Sequence, residues 1–183
     1  MTKRRAIWIS LVLLIFATVV WRTFGHSLGH FMGISQTPQS DVEKRNLINN
    51  MLSDYQKALG EIPSVEADQV NLISTKVTIL DVRTEKEMDT SRIENSISVA
   101  EFEQQSEKYK NNEIIVYCTI GYRSGLAAID LRRKGFNAFS LRGGILLWAH
   151  SGKQLWSQGK PVKVAHIYGA EWNLLPHDWK AIW

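Results

Sequence analysis

The sequence has little cysteine, since Cys118 is the only one among 183 residues. A single cysteine excludes a disulfide within the chain and any zinc site that needs several cysteine ligands. Cys118 is therefore either an inert core residue, the more common situation for a lone cysteine, or a reactive thiol. The residues around it have to decide between the two.

Charge is also scarce at the beginning of the chain, where only Lys3, Arg4, Arg5 and Arg22 precede Asp41. The whole chain carries 22 basic and 18 acidic residues, so removing these four leaves 18 of each sign. The net charge of +4 thus belongs to the N-terminal segment rather than to a basic face. We therefore expect no nucleic-acid partner.

The uncharged run Ala6–Trp21, directly after three basic residues, is typical of a membrane-targeting segment. As a helix it would be about 24 Å long, somewhat short for a hydrocarbon core of ~30 Å. Trp8 and Trp21 near its ends favour an uncleaved anchor, and a cleaved signal peptide is the alternative. The preceding basic residues predict a cytoplasmic N-terminus with the rest exported, to the periplasmic side in a bacterium or secreted if the signal is cleaved.

Composition divides the chain into four regions. Residues 1–33 form the anchor and a juxtamembrane stretch, and 34–60 a polar linker followed by an amphipathic helix. Residues 61–156 form the main domain, and 157–183 an aromatic-rich extension. We expect the rings of this extension to pack back and cap the core, the alternative being a contact with a protein partner or a membrane. We expect no metal site, although His26, His30, His166 and His177 are potential ligands.

Alternating strand and helix patterns predict an α/β fold with a parallel sheet. Val77–Leu80 and Ile114–Tyr117 are uninterrupted apolar runs, which suit strands buried on both faces. Ile97–Val99 and Phe136–Leu141 are further strand candidates.

Four segments are predicted to be helical: Asp41–Leu59, Glu101–Lys110, Ser124–Lys134 and Ile145–Trp148. The first is expected to be an ordinary surface helix. The third should turn Leu126 and Ile129 inward, with Ala127 and Leu131 beside them.

The position of Cys118 favours the reactive alternative. It ends a buried strand and opens a tight loop before a helix, where open α/β sheets bind their ligands. Backbone N–H groups and the helix dipole supply positive potential there, which stabilises a thiolate or a persulfide. Gly121 permits a positive φ in the loop, and Arg123 adds a fixed charge. Displacement at a sulfane sulfur needs neither a metal nor a separate general base.

Four landmarks together resemble the rhodanese family of sulfurtransferases: VTILDVR at 77–83, Glu87, CTIGYRS at 118–124, and LRGG at 141–144 with Trp148. The resemblance extends from about Glu61 to Trp156. It implies a five-stranded parallel sheet flanked by helices, a persulfide intermediate, no cofactor, thiosulfate or a similar sulfane donor, and a thiol or cyanide acceptor.

The resemblance also assigns roles to residues. Cys118 would be the nucleophile and Arg123 the contact for the anionic substrate. The other substrate-binding positions would be those of the loop: Thr119, Ile120, Gly121, Tyr122 and Ser124. Asp81 and Arg83 match the family's DVR pair, and we interpret them as structural, holding the end of a strand.

Two other functions remain open. Related cysteine phosphatases and arsenate reductases place five residues between cysteine and arginine, whereas Thr119–Tyr122 supplies four, a smaller loop suited to one sulfur atom. The second alternative is a non-enzymatic, membrane-tethered module that binds a partner or senses redox state through Cys118. In an exported, oxidising compartment we expect Cys118 to rest largely as a persulfide or a mixed disulfide.

Overall fold

The computed structural model describes residues 38 and 40–183. The predicted anchor at 6–21, the juxtamembrane histidines and most of the predicted linker lie outside the described residues. Among residues 38 and 40–183, no helix combines the length and apolar character needed to cross a bilayer.

The first described element, helix α1, spans Asp41–Leu59, the range expected from the sequence. Ser40 caps its N-terminus, and the Glu43 side chain accepts a hydrogen bond from the Ser40 backbone in return, which satisfies two donors of the first turn. The helix ends at Gly60, whose φ is 80°. The stretch 41–59 contains neither glycine nor proline and is followed by Gly60, which is why the sequence predicted the extent of this helix.

The main sheet has five strands: β1 Ser64–Val65, β2 Val77–Asp81, β3 Ile97–Ser98, β4 Glu113–Tyr117 and β5 Asn137–Leu141. All are parallel, in the order β1-β5-β4-β2-β3. In the described part of the chain, the α-helices that follow α1 are α2 Glu85–Thr90, α3 Val99–Gln104, α4 Tyr122–Arg133 and α5 Gly144–His150. The number of strands and their parallel direction confirm the expected fold.

The two central strands bury side chains on both faces, as their unbroken apolar sequences predicted. Along β4, Ile114 and Val116 enter a core with α3 and α4. Ile115 and Tyr117 enter the other core, with α1, α5 and the C-terminal extension. This alternation places Cys118 directly beyond the carboxyl end of the most enclosed strand.

Two helix predictions were wrong in detail. The segment Glu101–Lys110 is not one helix, because α3 ends at Gln104 and a separate 3₁₀ turn covers Ser106–Tyr109. In α4 the predicted inward residue Leu126 is 44% exposed, while Ala128 is fully buried. The reason is that α4 begins at Tyr122 and packs through small residues, so its inward face is Ser124, Gly125, Ala128 and Leu131.

The C-terminal extension packs back on the domain, but mainly through aliphatic side chains. Ile167, Leu174 and Leu175 are buried in the core, whereas Tyr168 is 45% and Trp183 58% exposed. The backbone pairs locally, with β6 Leu155–Ser157 antiparallel to β7 Lys160–Val162 and β8 Val164–His166 parallel to β9 Lys180–Ile182. Most of the rings expected to cap the core instead lie partly exposed.

Candidate active site

The loop after β4 curls around the sulfur of Cys118. The Gly121 N–H donates to Sγ at 3.1 Å, and the Ser124 hydroxyl lies 3.6 Å from it. Gly121 has a φ of 118°, the positive value expected from the sequence. Cys118 is only 1% exposed, so the sulfur lies at the bottom of the loop rather than on the surface.

The N-terminus of α5 donates hydrogen bonds to the backbone of the loop. The Ile145 N–H donates to the Cys118 carbonyl at 3.0 Å, and the Leu146 N–H donates to the Thr119 carbonyl at 3.2 Å. This approach requires Gly144, because a Cβ there would lie 2.2 Å from the Cys118 carbonyl oxygen. The Gly143-Gly144 pair in the sequence thus marks a close contact between two elements, in addition to a turn.

Arg123 is engaged by a carboxylate rather than directed at the sulfur. Its guanidinium donates to Glu87 through Nη1 at 2.9 Å and through Nη2 at 2.6 Å. Nη2 also reaches the Thr119 hydroxyl at 3.2 Å, and that hydroxyl donates to Glu87 at 3.0 Å. The expected substrate contact by Arg123 stays a prediction, since in this arrangement the charge is paired.

Glu87 is the central residue of this side of the loop. Burial opposes ionisation, but hydrogen bonds from Arg123 and from the Thr84 backbone outweigh it and lower the pKa of Glu87 to about 2. The sequence had identified Glu87 only as a family landmark. A usable signal was present, because Thr84 caps α2 and Glu87 completes a capping box with it.

Asp81 and Arg83 form a separate buried ion pair at the end of β2. Arg83 Nε and Nη2 donate to Asp81 at 2.9 and 2.7 Å, and Nη2 also donates to the Ser91 carbonyl at 2.7 Å. The Tyr117 hydroxyl, from the residue before Cys118, also donates to Asp81. The pair therefore ties β2 to β4, consistent with the structural role that we assigned to it.

Aromatic side chains from three regions border the loop, and two of them were not expected there. Tyr55 of α1 packs edge-on against Tyr122 at a ring separation of 5.1 Å. The Arg123 guanidinium lies 5.1 Å from the centre of the Tyr168 ring, which comes from the C-terminal extension. Burial, together with the nearby Cys118 sulfur, raises the pKa of Tyr55 to about 12. The local sequence of α1 gives no indication that Tyr55 contacts Tyr122.

The remaining predicted loop residues differ in exposure. Ile120 is buried, and Tyr122 is 39% exposed at the rim. Ser124 is fully buried, and its hydroxyl shares a hydrogen bond of 2.8 Å with that of Ser140 on β5. The residues that the structure describes contain no cluster of three or more His, Cys, Asp or Glu side chains able to hold a metal ion.

Comparison with known proteins adds independent information. The family model for the rhodanese-like domain matches residues 66–151. A sulfurtransferase of Allochromatium vinosum is 30% identical over 98 residues, which is 51% of this chain and 92% of that protein. A tRNA sulfurtransferase of Desulfurococcus amylolyticus is 34% identical over 87 residues, 46% of this chain, and the chain spans only 16% of its length.

Among solved structures, a rhodanese-related protein of Thermoplasma volcanium is similar with 28% identity and a TM-score of 0.45. The similarity covers 51% of this chain and 97% of that one. The family match includes the whole loop around Cys118 and also Glu87, but neither α1 nor the C-terminal extension. Together, the match at residues 66–151 and the relative that is covered over nearly its full length establish that this chain belongs to the family of rhodanese-like domains.

Proposed function

We propose that the protein is a sulfurtransferase in which Cys118 accepts a sulfane sulfur from thiosulfate or a similar donor and passes it to a thiol or cyanide. The observation that carries this proposal is the loop geometry, in which the Gly121 N–H donates to Cys118 Sγ at 3.1 Å. A donor in that position stabilises negative charge on the first sulfur, and its neighbours can do so for a second one.

The reaction has two displacement steps. In the first, the Cys118 thiolate attacks the outer sulfur of thiosulfate, the sulfur–sulfur bond of thiosulfate breaks, and sulfite leaves with the electron pair. In the second, the acceptor attacks the outer sulfur of the Cys118 persulfide, and the bonding pair returns to Sγ as a thiolate. Neither step requires a cofactor. We assign the stabilisation of charge chiefly to the loop amides, because Glu87 already balances the charge of Arg123.

The test uses the full chain with thiosulfate alone and then with thiosulfate and cyanide. Intact mass should show one added sulfur atom on the wild type and none on Cys118→Ser, and thiocyanate should form only with the wild type. Equal thiocyanate rates for the two proteins would exclude Cys118 as the nucleophile.

A second candidate is a non-enzymatic module that carries sulfur or senses redox state. The 1% exposure of Cys118 favours the carrier, because a buried thiol reacts slowly with oxidants and with bulky disulfides. Such a module would take up one sulfur atom or form one mixed disulfide without multiple turnovers. Loading by thiosulfate in the absence of steady-state thiocyanate production would support this candidate.

We also propose that the domain is tethered to a membrane through residues 6–21 and faces the exported side, and that the C-terminal extension contacts a protein partner. The charge pattern of the N-terminal sequence supports the tether. Fractionation of cells that produce the full chain, with protease added from the outside after opening the outer compartment, tests both the attachment and the orientation.

Trapping thiols in that compartment tests whether Cys118 rests as a persulfide or mixed disulfide, and mostly free thiol would contradict that expectation.

A further inference from the structure

Rings from two segments outside the family match border the active-site loop. Tyr55 belongs to α1 and Tyr168 to the C-terminal extension. Tyr55 packs edge-on against Tyr122 at a ring separation of 5.1 Å. The Tyr168 ring centre lies 5.1 Å from the guanidinium carbon of Arg123. Two consecutive loop residues are thus each covered by a ring that the shared domain does not supply, and these four side chains form the rim of the loop.

The hydroxyls of both flanking tyrosines lie within electrostatic reach of the sulfur. Burial raises the pKa of Tyr55 to about 12 and also raises the pKa of Tyr168, and the nearby Cys118 sulfur adds to the increase in both cases. Arg123 acts in the opposite direction on Tyr168. Both phenols are therefore neutral at physiological pH, so they add no charge to the rim.

Backbone closes the other sides of the loop. The first amides of α5 donate to the loop carbonyls, which places that helix against one side. The Gly121 N–H donates to Cys118 Sγ at 3.1 Å, so the Gly121 backbone covers the side that faces Leu52 of α1. Cys118 is only 1% exposed, whereas Tyr122 and Tyr168 are 39% and 45% exposed. A sulfur donor from solvent therefore has to pass the rim.

The charge of the rim is balanced. Glu87 accepts from both terminal nitrogens of Arg123, at 2.9 and 2.6 Å. Nη2 of Arg123 also donates to the hydroxyl of Thr119, the residue next to Cys118. A guanidinium held in this way discriminates weakly between donors by their charge. Their size remains as the property on which this rim can select.

The two flanking rings differ in how firmly they are held. Tyr55 is partly buried and packs against the main core. Tyr168 is more exposed, and the Trp172 ring lies edge-on to it at 6.2 Å. A wide donor can enter most easily by displacing Tyr168 from Arg123, which breaks the cation–π contact. A narrow donor leaves that contact intact.

We propose that Tyr168 determines which sulfur donors reach Cys118, favouring small sulfane donors such as thiosulfate over donors whose sulfane sulfur is attached to an organic group of ring size or larger. This inference rests on the proposed sulfurtransferase function. In each case the Cys118 thiolate attacks the outer sulfur of the donor, the sulfur–sulfur bond of the donor breaks, and sulfite or a sulfinate leaves with the electron pair. Donor choice is then a property of the C-terminal extension, added to the shared loop.

The first experiment measures loading from two matched donors. The methanethiosulfonate and benzenethiosulfonate ions have the same charge and the same reacting sulfur, and they differ in a methyl against a phenyl group. Reduced full-chain protein is mixed with each, and the sulfur added in a single turnover is followed by intact mass. Tyr168→Ala should raise the rate with benzenethiosulfonate relative to methanethiosulfonate about fivefold, the equivalent of one cation–π contact. Because both donors react with the same thiolate, a change in the reactivity of Cys118 cancels in this ratio.

Two further variants serve as controls. Tyr168→Phe keeps the ring over Arg123 and should keep the wild-type ratio. Trp183→Ala removes another exposed ring of the same extension and should keep it as well. A wild-type ratio for Tyr168→Ala, or an equal increase for Trp183→Ala, would overturn the proposal.

Alkylation separates this inference from the proposed function. Iodoacetamide and 2-iodo-N-phenylacetamide modify Cys118 without sulfur transfer, and they too differ by a phenyl group. If the wild type takes up no sulfur from either donor, the proposed function falls, but Tyr168→Ala should still raise the relative rate of the phenyl reagent by a similar factor. An unchanged alkylation ratio would overturn the role of Tyr168 itself.

Discussion

The two sides of the Cys118 loop use their charges differently. On the side of α2, Arg123 is bound to Glu87 through two short hydrogen bonds, and the ring of Tyr168 lies over its guanidinium. On the side of α1, Arg142 has one long contact to Glu66 and borders a cavity. The paired side holds the loop in shape, whereas on the other side the charge of Arg142 is only loosely compensated. An arginine near a reactive cysteine therefore cannot be assigned to substrate from the sequence motif alone.

The largest expected effect is on the paired side. Glu87→Gln should lower the free energy of unfolding by about 3 kcal/mol at neutral pH, because it removes the charge that compensates the largely buried Arg123. Urea denaturation monitored by fluorescence measures this. Asp54→Asn, which breaks an exposed pair with Lys57, should change it by less than about 1 kcal/mol. Equal effects of the two substitutions would contradict the comparison.

The pH dependence of the unfolding free energy tests whether the same carboxylate is ionised in the folded protein. The pKa of Glu87 in the folded protein, about 2, lies below its usual value of 4.5. Its contribution should therefore be complete above about pH 5 and decline as the pH falls from about 4.5 towards 2. The difference in unfolding free energy between wild type and Glu87→Gln should shrink over that interval, again by about 3 kcal/mol. A difference that stays constant would show that Glu87 is not held ionised by Arg123.

On the α1 side, Leu52 of α1 packs closely against Gly121 of the loop. Gly121→Ala should lower the free energy of unfolding by about 2 kcal/mol. A φ of 118° is strained for any residue with a Cβ, and the added Cβ would lie 3.0 Å from Leu52 Cδ2. Thermal or urea unfolding measures this cost. In a Leu52→Ala background the same substitution should cost less, leaving only the backbone strain. An unchanged loss of unfolding free energy would mean that Leu52 does not hinder a Cβ at position 121.

The smallest effect concerns the ring over Arg123. Tyr168→Ala should raise the rate at which a bulky aromatic disulfide modifies Cys118, relative to a small methanethiosulfonate, by up to about fivefold, or about 1 kcal/mol. Trp183→Ala, an exposed ring of the same extension, is the matched control. If both variants behave like the wild type, Tyr168 does not restrict access to the sulfur.

The sequence predicted those parts of the fold that depend on local pattern. Strands β2 and β4 and helix α1 follow from unbroken apolar runs and from helical spacing without glycine or proline. The inward face of α4 was misassigned because its close packing uses Ser124, Gly125 and Ala128, whose small size carries no hydrophobic signal.

The site was predictable only where its residues are consecutive. The loop and its cysteine are contiguous, so the positive φ of Gly121 could be anticipated. Glu87 and Arg123 are 36 positions apart on separate elements, and their pairing is decided by tertiary packing. Tyr55 and the cavity beside α1 depend on where that helix docks, which no local pattern encodes.

The attachment of the loop to α5 fixes the direction of its donors. In a trans peptide unit the C=O and the N–H point in opposite directions. Because the carbonyls of Cys118 and Thr119 are both turned towards the first amides of α5, the N–H groups of Thr119 and Ile120 must point away from that helix. Their orientation is therefore set by backbone geometry in the free protein, so in the proposed sulfur transfer these donors would need little reorganisation.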